Sequence, residues 1–259
     1  DIIALSGVDN VSIGDTISSL TEPLALPRLQ VDEPTVSMMF YVNDSPFAGK
    51  EGKYLTSRHL LERLEKEALR NVAIKIKKLD RTDAFEVCGR GELQMAVLVE
   101  TMRREGYEMM VSRARVITRE QNGKTYEPVE RLLLDIPEEF VGKITEKLSI
   151  RKGRMESLIN KGSGRVSMEF LIPSRGLIGF RSQFLTDTKG SGVMNSLLED
   201  YAPWFGSIPQ RMTGVLVADR HGRVTSYASY AMEDRGEMIV EIGTEVYAGM
   251  IVGERNRSG

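Results

Sequence analysis

The sequence predicts an α+β protein that contains two tandem βαββαβ modules. Residues 36–120 alternate between strand patterns, in which every second residue is apolar, and helix patterns, in which apolar residues recur three and four positions apart. The same order of elements recurs over residues 126–201. Four antiparallel strands and two helices in this order pack as one helical layer on one sheet, which is the ferredoxin-like arrangement.

The first copy begins with the strand VSMMFYV at 36–42, which is followed by a loop rich in Gly, Pro and Asp at 43–54. Thr56 or Ser57 is suited to cap the next helix, because a hydroxyl accepts a hydrogen bond from the amides of the first turn. The copy continues with a helix at 58–71, strands at 72–79 and 84–89, a helix that carries Met95, Leu98, Val99 and Met102 on one face, and a last strand at 106–120.

The second copy begins with a strand at 126–136, and Pro137 marks the first position of its helix. Proline suits that position because the amide it lacks would have no partner in the first turn, and Glu138 and Glu139 complement the helix dipole. The copy continues with the strands RMESLIN and RVSMEFLIP on either side of a glycine turn, a helix at 176–188 and the strand SGVMNSLLEDY.

The segments outside the two copies have a different pattern. Residues 1–20 alternate between apolar and turn residues and predict the last strands of a β-barrel, and a proline-rich linker follows. After Pro209 the sequence predicts a hairpin that turns at His221 and Gly222, then short strands without a helix. The chain opens on a strand pattern without a starting methionine, so we expect it to be part of a longer protein. The predicted segments are the end of a β-barrel with its linker at 1–28 and the two modules at 29–120 and 121–206. Residues 207–259 are predicted to be the start of a C-terminal domain.

Composition and charge exclude several classes of protein. A net charge of -2 gives no overall attraction to nucleic acid or membrane, so a nucleic-acid surface would have to be a local basic patch. Cys88 is the only cysteine, which excludes an internal disulfide and a multi-cysteine metal site. No apolar run approaches the roughly 20 residues that span a bilayer.

The glycines of CGRGELQ raise the question of a phosphate-binding loop. Gly89 and Gly91 match the first two glycines of Gly-x-Gly-x-x-Gly, but the third position is Gln94. Glu92 would place a carboxylate against an incoming phosphate, and the chain contains no GxxxxGK[ST] sequence. The pattern favours a structural turn into a helix whose dipole stabilises Glu92.

No group of residues has the local spacing of a catalytic centre. His59 and His221 are the only histidines, and neither has a neighbouring Cys or Asp that would complete a triad or a metal pair. A phosphatase of the acylphosphatase type would need an arginine in the loop after the first strand, and residues 43–49 contain none. We predict no catalytic residue, no cofactor-binding residue and no metal site in this chain.

Basic clusters are the best candidates for a binding surface. The segment IPSRGLIGFRSQF places two arginines and two glycines at a loop-to-helix junction, where backbone amides can approach a phosphate. A buried packing turn is the alternative, because GxxG also permits close contact between a helix and a sheet. The loop 43–54 is long and polar, as functional loops and disordered loops both are. The candidate RNA or ribosome contacts are Arg175, Gly176, Gly179, Arg181, Arg151, Lys152, Arg154, Lys50 and Lys53.

Several long segments resemble translational GTPases of the elongation factor G superfamily. FEVCGRGELQMAVLVETMRREGYEMMVSRARVITRE resembles the third domain of these proteins, and GRVSMEFLIPSRGLIGFRSQFLTDTKGSG resembles the fifth. Only QNGKT stands where elongation factor G inserts its fourth domain. Together with DEPTVSMMFYVNDSPFAGKEGKYLTSR, these segments are most similar to the BipA or TypA branch.

This resemblance implies a cytoplasmic protein that binds the ribosome and acts in translation regulation, the stress response and ribosome assembly. It implies contacts with ribosomal RNA and with the A-site tRNA, and no membrane partner. It also implies that GTP and Mg bind to a GTPase domain outside this chain, so that the chain alone would not hydrolyse GTP. The oligomeric state stays open, with a monomer favoured.

Two alternatives remain beside this interpretation. Tandem ferredoxin-like modules often bind small effectors, so a ligand-binding regulatory module is the second candidate, and a phosphatase-type enzyme is the third. For the leading interpretation, we expect that Arg175→Glu combined with Arg181→Glu weakens ribosome association without unfolding the chain.

Overall fold

The computed structural model describes residues 2–8, 11, 13–27, 33–209 and 213–258. The chain forms two compact units, Asp1–Ile208 and Pro209–Gly259. The first unit contains two sheets with separate apolar cores, and the second contains a small core of its own. None of the helices within the described ranges combines the length and the apolar character that crossing a bilayer requires.

The first sheet and its helices are formed by residues 36–116. Their elements are β1 (Val36–Val42), α1 (Ser57–Arg70), β2 (Lys75–Lys78), β3 (Ala84–Gly89), α2 (Glu92–Arg104), β4 (Met109–Val111) and β5 (Arg115–Val116). The strands lie in the order β2-β3-β1-β4, antiparallel to their neighbours, and β5 pairs with the other end of β1.

Both helices contribute to the core of this first sheet. Of the two predicted cap residues, Thr56 caps α1, because its hydroxyl accepts a hydrogen bond from the amide of His59 at 3.3 Å. Leu60 and Leu64 lie one turn apart on the buried face of α1. The buried core residues are Phe40, Leu60, Leu64, Ile74, Phe85, Val87, Met95, Leu98 and Met102.

The prediction of one continuous strand at 106–120 is wrong, because the segment divides into β4, β5 and β6 (Arg119–Gln121). Ser112 causes the first break. Its amide donates to the carbonyl of Met39 at 2.9 Å, and its hydroxyl accepts from the amide of Met39 at 3.0 Å. The side chain thus replaces one bond of the ladder, and the strand is interrupted before β5.

The second sheet contains β7 (Lys124–Pro137), β8 (Arg154–Asn160), β9 (Arg165–Pro173) and β10 (Val193–Pro203), in the order β10-β7-β9-β8, and β6 pairs with β7. A 3-10 turn (Glu138–Phe140) precedes the helices α3 (Val141–Ile150), α4 (Ser174–Leu177) and α5 (Phe180–Asp187). Every second residue of β9 is buried, which is the period of a sheet with one covered face. The core residues are Leu132, Leu134, Ile136, Ile144, Leu148, Val166, Met168, Phe170, Ile172, Phe180 and Phe184.

Two helix boundaries in the second copy differ from the prediction. Pro137 precedes the 3-10 turn and is not the first residue of a helix, because its ψ of 142° continues the extended chain of β7. The predicted helix at 176–188 is divided at Gly179, which has a φ of 70°. This left-handed conformation has little steric cost for a residue without a Cβ, and it separates α4 from α5.

The second unit combines short strands with one helix. Its elements are β11 (Thr213–Val217), β12 (Gly222–Arg223), α6 (Ser226–Met232), β13 (Gly236–Met238), β14 (Glu245–Val246) and β15 (Ile251–Ser258). The predicted hairpin at His221 is wrong, because β11 pairs with β15 and β12 pairs with β14. The prediction of no helix is wrong as well. The hydroxyl of Thr225 accepts from the amide of Ala228 at 3.2 Å, and this cap outweighs the β preference of the two tyrosines that follow.

The described residues before β1 form neither a helix nor a strand. The barrel strands predicted at 1–20 are therefore not found in the described part of that segment, and residues 1, 9, 10 and 12 lie outside it. Ile2 and Leu20 are completely exposed. A strand needs neighbouring strands for its amide and carbonyl groups, and no strand pairing involves the described residues of this segment. The predicted boundary between residues 28 and 29 also lies outside the described ranges.

Candidate nucleic-acid interface

Arg151, just after α3, holds the turn between α4 and α5. Its guanidinium donates to the carbonyl oxygens of Gly176 at 2.8 Å and Ile178 at 3.1 Å, and to Oε1 of Gln183 at 3.2 Å. Burial lowers the pKa of Arg151 below its usual value, while the carboxylate of Glu92 opposes that shift. Because its donors bind groups of the protein itself, Arg151 supports the turn and does not present its charge to a phosphate.

Gly176 is required by packing. A Cβ at this position would lie 2.7 Å from the carbonyl oxygen of Arg151 and 3.1 Å from Cγ1 of Ile172. The nearer atom belongs to the backbone and cannot rotate away. This geometry agrees with the packing turn that the sequence analysis kept as the alternative.

We expect Gly176→Val to lower the free energy of unfolding by about 1–3 kcal/mol, because extra methyl groups would overfill a closely packed position. Urea unfolding followed by circular dichroism measures the loss. Gly142→Val is the matched control, since nothing lies within 4 Å of a Cβ built on Gly142. An equal loss in both variants would show that valine acts through the backbone and not through the contact with Arg151.

Arg175 forms a buried ion pair, so its predicted role as an RNA contact needs correction. Its guanidinium donates through Nε and Nη2 to the carboxylate of Glu127, whose side chain is completely buried. It also donates to the carbonyl of Gly206 and stacks 3.8 Å from the ring centroid of Trp204. Glu127 neutralises the charge of Arg175, and the protein already occupies its donors, so Arg175 positions this part of the chain.

Gly179 contacts α2 of the first sheet. Its amide donates to both carboxylate oxygens of Glu92, at 2.9 Å and 2.8 Å. Glu92 is the first residue of α2, where the helix dipole favours a carboxylate, and Gly91 precedes it in an extended conformation. The glycine-rich segment therefore forms a turn into a helix, and Glu92 occupies the amide of Gly179 that a phosphate would have approached.

Three predicted cations near this turn are exposed. Lys152 and Arg181 form no ion pair with any residue of the described ranges. Arg154 pairs with Glu156 at 2.7 Å, but 72% of its side chain is exposed. Solvent screens such a pair, which contributes at most about 1 kcal/mol. Lys152 and Arg181 are thus the cations of this region that remain available to a phosphate, and Arg154 is only weakly held.

One carboxylate orders the loop at 43–54. Glu108 accepts hydrogen bonds from the amides of Gly49 at 2.8 Å, Gly52 at 2.6 Å and Glu51 at 2.8 Å, and from Nδ2 of Asn43 at 3.0 Å. These donors, first among them the amide of Gly49, hold the pKa of Glu108 at about 2. The loop is a defined structure, which argues against the disordered alternative.

The two lysines of this loop differ in their surroundings. Nζ of Lys50 lies 4.0 Å from the ring centroid of Phe47. Lys53 is exposed and makes no ion pair in the part of the chain that the structure describes. The next residue, Tyr54, stacks on Tyr107 with 4.6 Å between the ring centroids, which fixes the end of the loop against the segment between α2 and β4.

We expect Glu108→Gln to reduce the dependence of stability on pH. The folded pKa of about 2 lies below the usual value near 4.5, so the ionised carboxylate stabilises the folded chain above the unfolded pKa. That contribution is lost as the pH falls from about 4.5 through about 2. Urea unfolding at a series of pH values should give a shallower acid decline for E108Q. Glu146→Gln, on the exposed side of α3, is the control, and equal pH profiles for the wild type and E108Q would contradict the expectation.

The two groups of candidate cations lie near opposite ends of α2. At the N-terminal end of α2, Glu92 contacts Gly179. Just after the C-terminal end, the carbonyl of Gly106 accepts a hydrogen bond from the amide of Lys53 at 2.8 Å. A helix of 13 residues separates these points by about 18–20 Å, at a rise of about 1.5 Å per residue. The structure therefore presents two separate basic areas, which only an extended ligand would contact together.

The two carboxylates that organise these areas, Glu127 and Glu108, have partners that are distant in sequence. Glu127 pairs with an arginine 48 residues away, and Glu108 binds a loop 56–65 residues before it in the chain. No local spacing connects such partners. The strand YEPVERLLLDI contains Glu127, Glu130 and Asp135, and the sequence alone does not distinguish the buried acid from the other two.

The thiol of Cys88 is buried, and burial raises its pKa, which makes it a weak nucleophile. Within the described ranges, no three or more His, Cys, Asp or Glu side chains are grouped so that they could hold a metal ion.

Two family models match adjacent parts of the chain. The elongation factor G C-terminus matches residues 124–212, and the TypA/BipA C-terminal domain matches residues 213–259. A crystal structure of a protein from Thermus thermophilus aligns with 69% of this chain and 42% of that chain, at 13% identity and a TM-score of 0.45. That score is too low to support an argument about the fold.

Relatives with higher identity align along the whole chain. The large ribosomal subunit assembly factor BipA of Bacillus subtilis is 46% identical over 258 residues, which cover 99% of this chain and 42% of that protein. The protein of the same name from Haemophilus influenzae is 48% identical over 259 residues, which cover 100% of this chain and 42% of the relative. The chain thus spans less than half the length of these relatives. The identities along the whole chain and the C-terminal domain match show that this chain is similar to the C-terminal part of the TypA/BipA proteins.

Proposed function

We propose that this chain is the ribosome-binding C-terminal part of a translational GTPase that acts in assembly of the large ribosomal subunit. The observation that carries the proposal is the identity of 46% and 48% to two proteins that are named large ribosomal subunit assembly factors. In this proposal GTP and Mg bind to a GTPase domain outside this chain. The chain itself docks onto ribosomal RNA.

The proposal also assigns a domain type to each part of the chain. When the four main strands of each copy are numbered from one to four along the chain, both sheets of the first unit have the order 4-1-3-2. This shared order supports two ferredoxin-like modules. We assign residues 29–120 to a module like the third domain of elongation factor G and residues 121–206 to one like the fifth. The elongation factor G match at 124–212 supports the second assignment. Residues 207–259 are assigned to the start of the family-specific C-terminal domain, which the match at 213–259 supports.

The exposed cations at the two ends of α2 are the proposed RNA contacts. Lys152 and Arg181 lie at one end, and Lys50 and Lys53 lie at the other. Arg154 belongs with the first pair, because an exposed ion pair exchanges its carboxylate for a phosphate at little cost. A spacing of about 20 Å between the areas suits an RNA backbone with many phosphates more than a small ligand.

The family resemblance alone supports two further parts of the proposal. One is a cytoplasmic location, and the other is a contact between the C-terminal unit and the A-site tRNA. The chain is proposed to act as a monomer on the ribosome.

Co-sedimentation of the chain with purified large ribosomal subunits across a salt series tests the proposal. If four to six phosphates are contacted, the logarithm of the binding constant should fall with the logarithm of the salt concentration at a slope of about −3 to −5. Binding with a slope near zero would contradict phosphate contacts. Absence of binding at low salt would contradict the docking role of this chain.

A further inference from the structure

A cleft at the end of β10 combines an aromatic wall with a cation that has no counter-ion among the described residues. Its volume is about 520 Å³, and the described residues that line it are Lys124, Thr125, Pro203 and Trp204. None of its described lining residues belongs to the candidate contacts named above. Its residues stand at the start of β7 and at the end of β10, two strands that pair along their length.

The tryptophan in this cleft is held in a fixed position. The amide of Trp204 donates to the carbonyl of Thr125 at 3.0 Å, and the amide of Phe205 donates to Oε1 of Glu127 at 2.8 Å. The guanidinium of Arg175 covers one side of the indole at 3.8 Å, and that guanidinium is itself fixed by the buried Glu127. The ring therefore has little rotational freedom to lose when a ligand binds.

The same residue remains partly accessible and lines the cleft. Trp204 is 45% exposed, although one of its faces is stacked against Arg175. Lys124 is exposed and forms no ion pair with the residues that the structure describes. The cleft thus presents a flat aromatic surface beside an ammonium group whose charge no described neighbour neutralises.

These features fit one class of ligand. A nucleobase stacks on an aromatic ring, and the phosphate next to it requires a cation, which is the combination that proteins use to bind single-stranded nucleic acid. An apolar peptide side chain would not form an ion pair with Lys124, and an isolated phosphate would not stack on the ring. We propose that this cleft binds an unpaired base of an RNA strand, stacked on Trp204, with the adjoining phosphate at Lys124. The choice of RNA over DNA rests on the proposed ribosomal function.

Intrinsic fluorescence gives a direct test, because Trp204 is the only tryptophan of the chain. Titration with a short oligoadenylate RNA should quench its emission to saturation, since a stacked base quenches indole. Inorganic polyphosphate of the same charge should leave the emission nearly unchanged. Quenching that is equal with polyphosphate, or no quenching by the RNA, would overturn the proposal.

Variants separate the ring from the charge. Fluorescence anisotropy of a labelled oligoadenylate should show a loss of affinity of about 5- to 150-fold for Trp204→Leu, the range expected when one stacked base is lost. Lys124→Ala should weaken binding and reduce its salt dependence, whereas Lys66→Ala, at an exposed lysine of α1, should change neither. Circular dichroism of each variant verifies the fold. Unchanged affinity in folded W204L would overturn the proposal.

Two further outcomes distinguish this inference from the ribosomal function. If adenosine monophosphate displaces the RNA with the same affinity per base, the occupant is a free nucleotide and the assignment to an RNA strand is wrong. If W204L and K124A bind large subunits and oligoadenylate like the wild type, the cleft has no RNA role, while the proposed function stands. Quenching by oligoadenylate without any binding to large subunits would support the cleft and contradict the ribosomal proposal.

Discussion

Replacement of Arg175 by alanine is expected to lower the free energy of unfolding by about 3–5 kcal/mol, the usual cost of removing one partner from a buried ion pair. Glu127 is completely buried, and without Arg175 its carboxylate would keep only the amide of Phe205 among the partners described above. Urea unfolding followed by circular dichroism measures the loss. The same reasoning changes the outcome expected for Arg175→Glu, which would bring two carboxylates together and unfold this region.

Two further variants serve as controls for the stability loss in R175A. Arg154→Ala removes an arginine from an exposed pair and should cost less than about 1 kcal/mol. Glu127→Leu combined with Arg175→Met replaces the whole pair by apolar groups and should recover much of the stability that R175A loses. A loss in R175A no larger than that in R154A would show that the pair contributes as a surface contact does.

The double variant Lys152→Glu with Arg181→Glu is expected to weaken binding to large ribosomal subunits by about 10- to 100-fold near 0.1 M salt. Both side chains are exposed, and neither forms an ion pair within the described ranges, so the change leaves the fold intact. If both contact phosphates, the salt slope should also become shallower by about 2. Co-sedimentation across a salt series measures both quantities.

A charge-matched double variant separates a local contact from an effect of net charge. Lys66→Glu with Lys75→Glu changes the net charge by the same amount at two exposed lysines of the first module. This control should leave the salt slope unchanged. Equal weakening by the two double variants would assign the effect to the overall charge of the chain and would remove Lys152 and Arg181 from the proposed interface.

Local signals were sufficient for most of the elements between residues 36 and 203. Hydroxyls before an amphipathic segment predicted a cap at Thr56 or Ser57, and alternating apolar residues predicted β9, because both signals come from residues that are close in sequence. The same is true of Met95, Leu98 and Met102, which share one buried helix face as their spacing predicts.

Interactions between distant residues account for what the sequence analysis missed. An arginine beside glycines in a polar segment has the same local pattern whether its partner is a phosphate or a buried carboxylate, so Arg175 could not be distinguished from a ligand contact. The break in the strand at Ser112 depends on a hydrogen bond to a residue 73 positions earlier. In the second unit, β11 and β15 come from opposite ends of the segment, so their pairing carries no signal of the kind that a hairpin turn gives.

The carboxylate of Glu108 has a further consequence for the energetics of recognition. Because the amides of Gly49, Glu51 and Gly52 share this one carboxylate, the loop is expected to open as a single cooperative unit, and these three amides should show similar protection against exchange with solvent. Ordering a flexible backbone costs about 1–2 kcal/mol per residue. Here folding has already ordered it, so a ligand that reaches Lys50 or Lys53 meets a preorganised surface and loses little of its binding free energy to conformational entropy.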